Sequence, residues 1–128
     1  MRILLDTHLF LWTLDDSPKL SQGARKLMMA SGNECFVSAV SLWEIAIKAA
    51  LRRKDFRLDT ARLIDAADAA GLKHLPFVAA HAVHVARLPR HHSDPFDRAL
   101  IAQAILEPLT LLTRDATLGR YGSAVRVV

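Results

Sequence analysis

The sequence predicts an α/β fold built on a parallel sheet with helices on both faces. Short apolar runs bounded by polar turns read as buried strands, and they alternate along the chain with helix-length segments. That alternation is the mark of a parallel sheet covered on both sides. Two of the runs, Ile3-Leu4-Leu5 and Leu109-Thr110-Leu111-Leu112-Thr113, end in a carboxylate, Asp6 and Asp115. Sites in such sheets form outside the carboxyl ends of the strands.

In order, Arg2 to Leu5 reads as the first strand, followed by a helix carrying Leu9, Phe10, Leu11, Trp12 and Leu14 and broken at Asp15-Asp16-Ser17-Pro18. Ser21 caps a second helix through Met28, which stops at Ser31-Gly32-Asn33. Glu34 to Ser38 is the second strand. Ser41 opens a helix through Leu51, with Arg52-Arg53-Lys54 in its last turn, where cations suit the helix dipole. Thr60 to Ala70 is an alanine-rich helix closed by Gly71, and Leu72 to Pro76 a weaker strand. Ala79 to Arg87 reads as helix and Leu88 to Ser93 as loop. Pro95 to Leu106 is helix, Leu109 to Thr113 strand, Asp115 to Arg120 a short helix and Val125 to Val128 the last strand.

With 128 residues the chain reads as one domain, residues 1–128, able to bury ~65–70% of its unfolded surface. No repeat, linker or low-complexity stretch divides it. No apolar run approaches the ~20 residues of a membrane helix, and the acid at position 6 argues against a secretory signal. Cys35 is the only cysteine, which excludes an intramolecular disulfide and a cysteine zinc site; a reducing cytoplasm is the expected location. No glycine-rich phosphate loop of either common type occurs. Net charge is +4 and the pI about 9.7. That balance suits a polyanionic partner and equally a merely soluble basic protein.

The acids are the informative residues. Asp6 reads as a helix cap at the strand-to-helix turn, but Asp115 repeats the arrangement, with the hydroxyls of Thr7 and Thr113 nearby. Glu44 is spaced for a surface ion pair with Lys48. Its helix is nevertheless apolar on nearly every side, with only a stripe through Ser41, Glu44 and Lys48 polar, so Glu44 is expected to face an enclosed polar site. In Asp94-Pro95-Phe96-Asp97, Asp94 serves as cap and Pro95 as first helical residue. Asp97 shares a face with Leu100, Ile101 and Ala104 and points to the core side; for Asp94, cap and ligand readings stand level.

Carboxylates converging on one point repel unless a cation lies between them, and oxygen-only ligation suits Mg²⁺ or Mn²⁺ rather than zinc. Such an ion activates water and neutralises charge on a phosphodiester. His81 and His84 lack a second matched pair or an HExxH string and read as helix-surface residues. Arg87, Arg90, His91 and His92, just before Asp94, are placed to hold a phosphate chain. Trp12, Trp43, Phe10 and Phe96 read as core residues rather than base-stacking platforms.

Four strings, in order and at these spacings, resemble the PIN-domain family, and more narrowly the VapC-type toxins of type II toxin–antitoxin modules. They are Leu4-Leu5-Asp6-Thr7-His8, Ser38-Ala39-Val40-Ser41-Leu42-Trp43-Glu44-Ile45, His92-Ser93-Asp94-Pro95-Phe96-Asp97-Arg98-Ala99-Leu100-Ile101-Ala102-Gln103-Ala104 and Thr113-Arg114-Asp115. The resemblance implies a three-layer α/β/α sandwich with a central five-stranded parallel sheet, and a Mg²⁺- or Mn²⁺-dependent endoribonuclease. It assigns metal binding and catalysis to Asp6, Glu44, Asp97 and Asp115, with Thr113 and Asp94 auxiliary. It also implies a homodimer held inactive by a small antitoxin whose C-terminal segment covers the active site. Two other readings compete: a phosphohydrolase acting on DNA or small phosphoesters, and a non-catalytic module that binds RNA or protein. Clustered carboxylates, which repel RNA phosphates, argue against the last.

Overall fold

The computed structural model describes residues 1–51 and 59–128, so Arg52, Arg53 and Lys54 lie outside the described residues. Five parallel strands form one sheet in the order β3-β2-β1-β4-β5: β1 Arg2–Leu5, β2 Glu34–Ser38, β3 Lys73–Leu75, β4 Thr110–Thr113 and β5 Val125–Val127. The helices are α1 Thr7–Leu14, α2 Gln22–Met29, α3 Ala39–Leu51, α4 Leu63–Ala69, α5 Ala79–His84 and α6 Pro95–Leu106. Short 3₁₀ turns cover Thr60–Arg62, Val85–Arg87 and Ala116–Tyr121. The expected α/β architecture with a five-stranded parallel sheet is the one observed.

Strand β1 is central, and its alternating side chains feed two cores. Ile3 and Leu5 pack with Leu9 and Phe10 of α1, Val37, Ile45, Ala67 and Leu112 on one face. Leu4 packs with Phe36, Val40, Leu100, Ile101, Leu111 and Leu118 on the other. Ile3, Leu4 and Leu5 are all fully buried. Truncating such a leucine to alanine removes transfer energy and leaves a cavity, a cost of about 2–5 kcal/mol.

The chain winds outward from β1 to β2 and β3 on one side and to β4 and β5 on the other. The reversal lies between β1 and β4, where open α/β sheets leave a crevice at the carboxyl ends of the strands. The backbone N–H of Asp6 still donates to the Leu112 carbonyl at 3.1 Å, so the β1–β4 ladder runs to the mouth of that crevice. Helix α3 packs against both α1 and α6 at this end.

Several local expectations shift for physical reasons. Helix α3 starts at Ala39 rather than Ser41 because the Ser38 hydroxyl accepts the Val40 N–H at 3.0 Å and caps it. The alanine-rich segment begins as a 3₁₀ turn before α4, and Gly71, at φ 78°, closes it in the left-handed conformation glycine permits. His81 is not a surface residue but 1% exposed: its Nδ1 accepts the Val78 N–H at 3.1 Å and its Nε2 lies 2.5 Å from Glu107. Trp43 is not core but 58% exposed, edge-on to Phe96 at 5.2 Å between ring centres. Helix α3 thus turns Ser41 and Glu44 inward together with Val40 and Ile45, and Trp43 outward. Among the described residues no helix is long and apolar enough to cross a membrane.

Candidate active site

Asp6 sits at the turn from β1 into α1 and is the helix cap that its position predicts. Its Oδ1 accepts the Leu9 N–H at 2.8 Å, and its Oδ2 accepts the Thr113 hydroxyl at 2.5 Å. A surface cap needs no burial, yet Asp6 is only 5% exposed. Burial raises its carboxyl above the usual range. The Leu9 and Thr113 hydrogen bonds and the His8 charge oppose that rise, while the Glu44 charge adds to it.

Glu44 reaches the same place from α3. The Thr7 hydroxyl, next to Asp6 in the chain, donates to its Oε1 at 2.7 Å and lies 2.9 Å from the Ser41 hydroxyl. Lys48 pairs with the other oxygen. The helical ion pair and the enclosed site are therefore both real: the carboxylate is buried and the lysine stands half-exposed. Thr7, Leu11, Glu44, Ile45 and Lys48 line a cavity of about 530 Å³.

Asp94 caps α6, its Oδ1 accepting the N–H groups of Phe96 at 2.9 Å and Asp97 at 3.3 Å. Asp97, one turn in, is largely covered and held at Oδ2 by His92 Nε2 at 3.1 Å. Burial lifts its carboxyl to about 6; the charges of Asp94 and Asp6 add to the rise and His92 opposes it. Asp6 thus feels Glu44, and Asp97 feels Asp6, across three different elements.

Thr113, at the end of β4, joins the fourth acid to the first. Its hydroxyl donates to Asp6 and accepts the Asp115 N–H at 3.1 Å. The Asp115 side chain caps the next turn through Thr117 N–H at 2.9 Å and is exposed. Asp6 and Glu44 are therefore buried and Asp97 half-buried, with Asp115 exposed at the rim. As placed, no group of three His, Cys, Asp or Glu side chains among the described residues is close enough together to hold a metal ion. The donor chemistry, oxygen only and mutually repelling, fits a hard divalent cation and not zinc.

Arg87, Arg90 and His91 are exposed on the loop before α6, whereas His92 turns inward to Asp97. Two residues that the sequence did not single out lie behind it. Arg98 is 9% exposed and donates to the carbonyls of Val85, Leu88 and Pro89 and to the Tyr121 hydroxyl. A charge followed by the apolar run Ala99 to Ala102 was the available signal for Arg98, the same one that marks Glu44. Tyr121 has no local signal, because its partners come from loops far apart in sequence. Gln103, also fully buried, accepts from Ser38 at 2.6 Å and donates to the Pro76 carbonyl at 3.2 Å, tying α6 to the ends of β2 and β3.

The family model for the PIN domain matches residues 3–123. Among solved structures, the chain is similar to VapBC2 from Rickettsia felis bound to a DNA fragment from their promoter, with a TM-score of 0.71 and 17% identity over 100% of this chain and 98% of that one. It is also similar to DNA-bound VapBC from Salmonella typhimurium, with a TM-score of 0.67 and 18% identity over 100% and 97% of the two chains. A toxin–antitoxin complex from Klebsiella pneumoniae matches with a TM-score of 0.67 and 17% identity over 98% and 96%. A search of curated proteins gives no match.

Proposed function

The chain belongs to the PIN-domain family, and from that premise we propose that it is a metal-dependent endoribonuclease serving as the toxin of a type II toxin–antitoxin module. One observation carries the reading: Asp6 and Glu44, from different elements, are buried at the sheet's carboxyl edge, and the Asp6 charge reaches Asp97, whose carboxyl is lifted to about 6. Desolvation and the neighbouring carboxylates both disfavour the charged forms of Asp6 and Asp97, and a bound cation would relieve that cost.

Asp6, Glu44 and Asp97 would hold Mg²⁺ or Mn²⁺, with Asp115 from the rim. When bound, that ion supplies an activated water and neutralises the charge developing on the phosphodiester. The chain's own residues do the orienting. Thr113 fixes the Asp6 carboxylate, and Thr7 fixes that of Glu44. Lys48 balances Glu44 at the cavity mouth. Arg87, Arg90 and His91 hold the phosphate chain of the RNA as it approaches. The structural likeness to toxin–antitoxin complexes supports a small antitoxin as partner. In this reading the chain is a single-domain subunit of a homodimer and works in the cytoplasm.

Growth tests the biological half of the reading. Induced without a partner, the wild-type chain arrests bacterial growth, and Glu44→Gln at equal expression relieves the arrest. Normal growth with abundant, folded wild-type protein would remove the toxin role.

A further inference from the structure

The Tyr121 hydroxyl stands at the centre of three polar groups, and its valences determine where the protons lie. Arg98 Nη1 is 3.0 Å away and can only donate. The backbone N–H of His92, at 3.3 Å, also can only donate. A phenol oxygen accepts two hydrogen bonds and gives one. With both acceptor places taken, its proton goes to the remaining neighbour, His92 Nδ1, at 3.3 Å. A neutral imidazole whose Nδ1 accepts carries its hydrogen on Nε2. Nε2 is the atom 3.1 Å from Asp97 Oδ2, which can only accept when ionised.

We infer that His92 is a positioning residue: Arg98 and Tyr121 lock it as the Nε2–H tautomer, and it orients the Asp97 carboxylate by donating to Oδ2. The hydrogen-bonded chain runs from a buried guanidinium to the acid through Arg98, Tyr121, His92 and Asp97. Arg98 anchors it, because its other bonds go to the carbonyls of Val85, Leu88 and Pro89, holding the loop that carries His92. His92 is thereby separated from its exposed neighbours Arg87, Arg90 and His91, of which His91 sets its ring edge-on to Tyr121 at 4.9 Å between centres. With one Asp97 oxygen held by the imidazole, the other is left to serve a metal ion. That last step rests on the proposed metal site; the tautomer does not.

The test uses the full chain and two readouts. Nitrogen-15 NMR of the metal-free protein should find His92 protonated at Nε2, with Tyr121→Phe losing that preference while the protein stays folded. Calorimetric titration with Mn²⁺ should find affinity lowered about tenfold or more by His92→Ala and by Tyr121→Phe, as for other residues that orient a ligand. His92→Gln, whose amide N–H mimics Nε2–H, should stay within about threefold of wild type, whereas His92→Asn, which mimics Nδ1, should not. An Nδ1–H tautomer in wild type, or equal Mn²⁺ affinity in the Ala and Gln variants, would overturn the inference. If Asp97→Asn binds Mn²⁺ as wild type does, the metal reading fails instead, and the tautomer result alone decides whether this hydrogen-bond chain exists.

Discussion

Asp6 follows β1 and Asp115 follows β4, adjacent parallel strands, and each caps the helical turn that comes next. Even so, Asp6 is 5% exposed and Asp115 lies open. The local rule is the same in both places; the cover is not. Beside Asp6, Thr7 is tied to Glu44 on α3, and the neighbouring charge of Glu44 raises its carboxyl further. Asp115 leads into a 3₁₀ turn whose cap faces outward, and its link to the cluster is a backbone N–H donated to Thr113. A strand-end acid becomes part of a site when helices close over it, and topology decides which one they cover.

The widest separation between the two should appear in catalysis. Asp6→Asn keeps the volume and the Leu9 cap but removes a buried charge, and RNA cleavage should fall about 10³-fold or more. Asp115→Asn, altering an exposed group, should cost only about tenfold. Single-turnover rates with both variants give the answer. Equal losses would mean that the rim acid is as much a part of the chemistry as the buried one, and the contrast in cover would carry no functional weight.

Stability should separate Asp97 from the rim acid in the opposite sense. The Asp97 carboxyl is raised from 3.8 to about 6, so the folded state holds a proton that the unfolded chain releases first. Its contribution is intact below pH ~4 and lost as pH rises through about 6, where the charged form sits in a poorly solvated place. Without added metal, Asp97→Asn should leave stability near pH 3.5 unchanged and raise it at pH 7, by up to about 3 kcal/mol. Urea melts at the two pH values measure this. A loss of stability at pH 7 would show that the carboxylate is already well compensated.

The smallest effect concerns the exposed loop. Arg87→Ala with Arg90→Ala should flatten the salt dependence of RNA binding by ~0.7 log–log units for each phosphate no longer neutralised, with the saturated cleavage rate nearly unchanged. An unaltered slope would place the RNA path away from this loop.

Much of this was readable in advance because burial leaves marks in a sequence. Continuous apolar strands announced the parallel sheet, and charges in apolar helices announced that Glu44 and Asp97 turn inward. The same inference failed for Trp43: α3 is apolar on nearly every side, and hydrophobicity alone does not tell which side meets the core when a buried acid claims the inner face. His81 was read as a surface residue because its partner, Glu107, lies on a different element. The Tyr121–His92–Arg98 junction was equally out of reach. It joins a loop, a helix and a 3₁₀ turn, and only the tertiary fold brings them together. Local caps such as Asp94 and Ser21 needed no such convergence and fell where their spacing put them.

Metal dependence is the central claim, and one assay reaches it directly. Purified chain, stripped with EDTA, should leave RNA intact and regain cleavage on addition of Mg²⁺ or Mn²⁺, while Asp6→Asn treated in the same way should stay silent at every concentration of ion. Cleavage by the wild-type chain that persists in EDTA, or an Asp6→Asn protein rescued by Mn²⁺ to wild-type rates, would contradict the account.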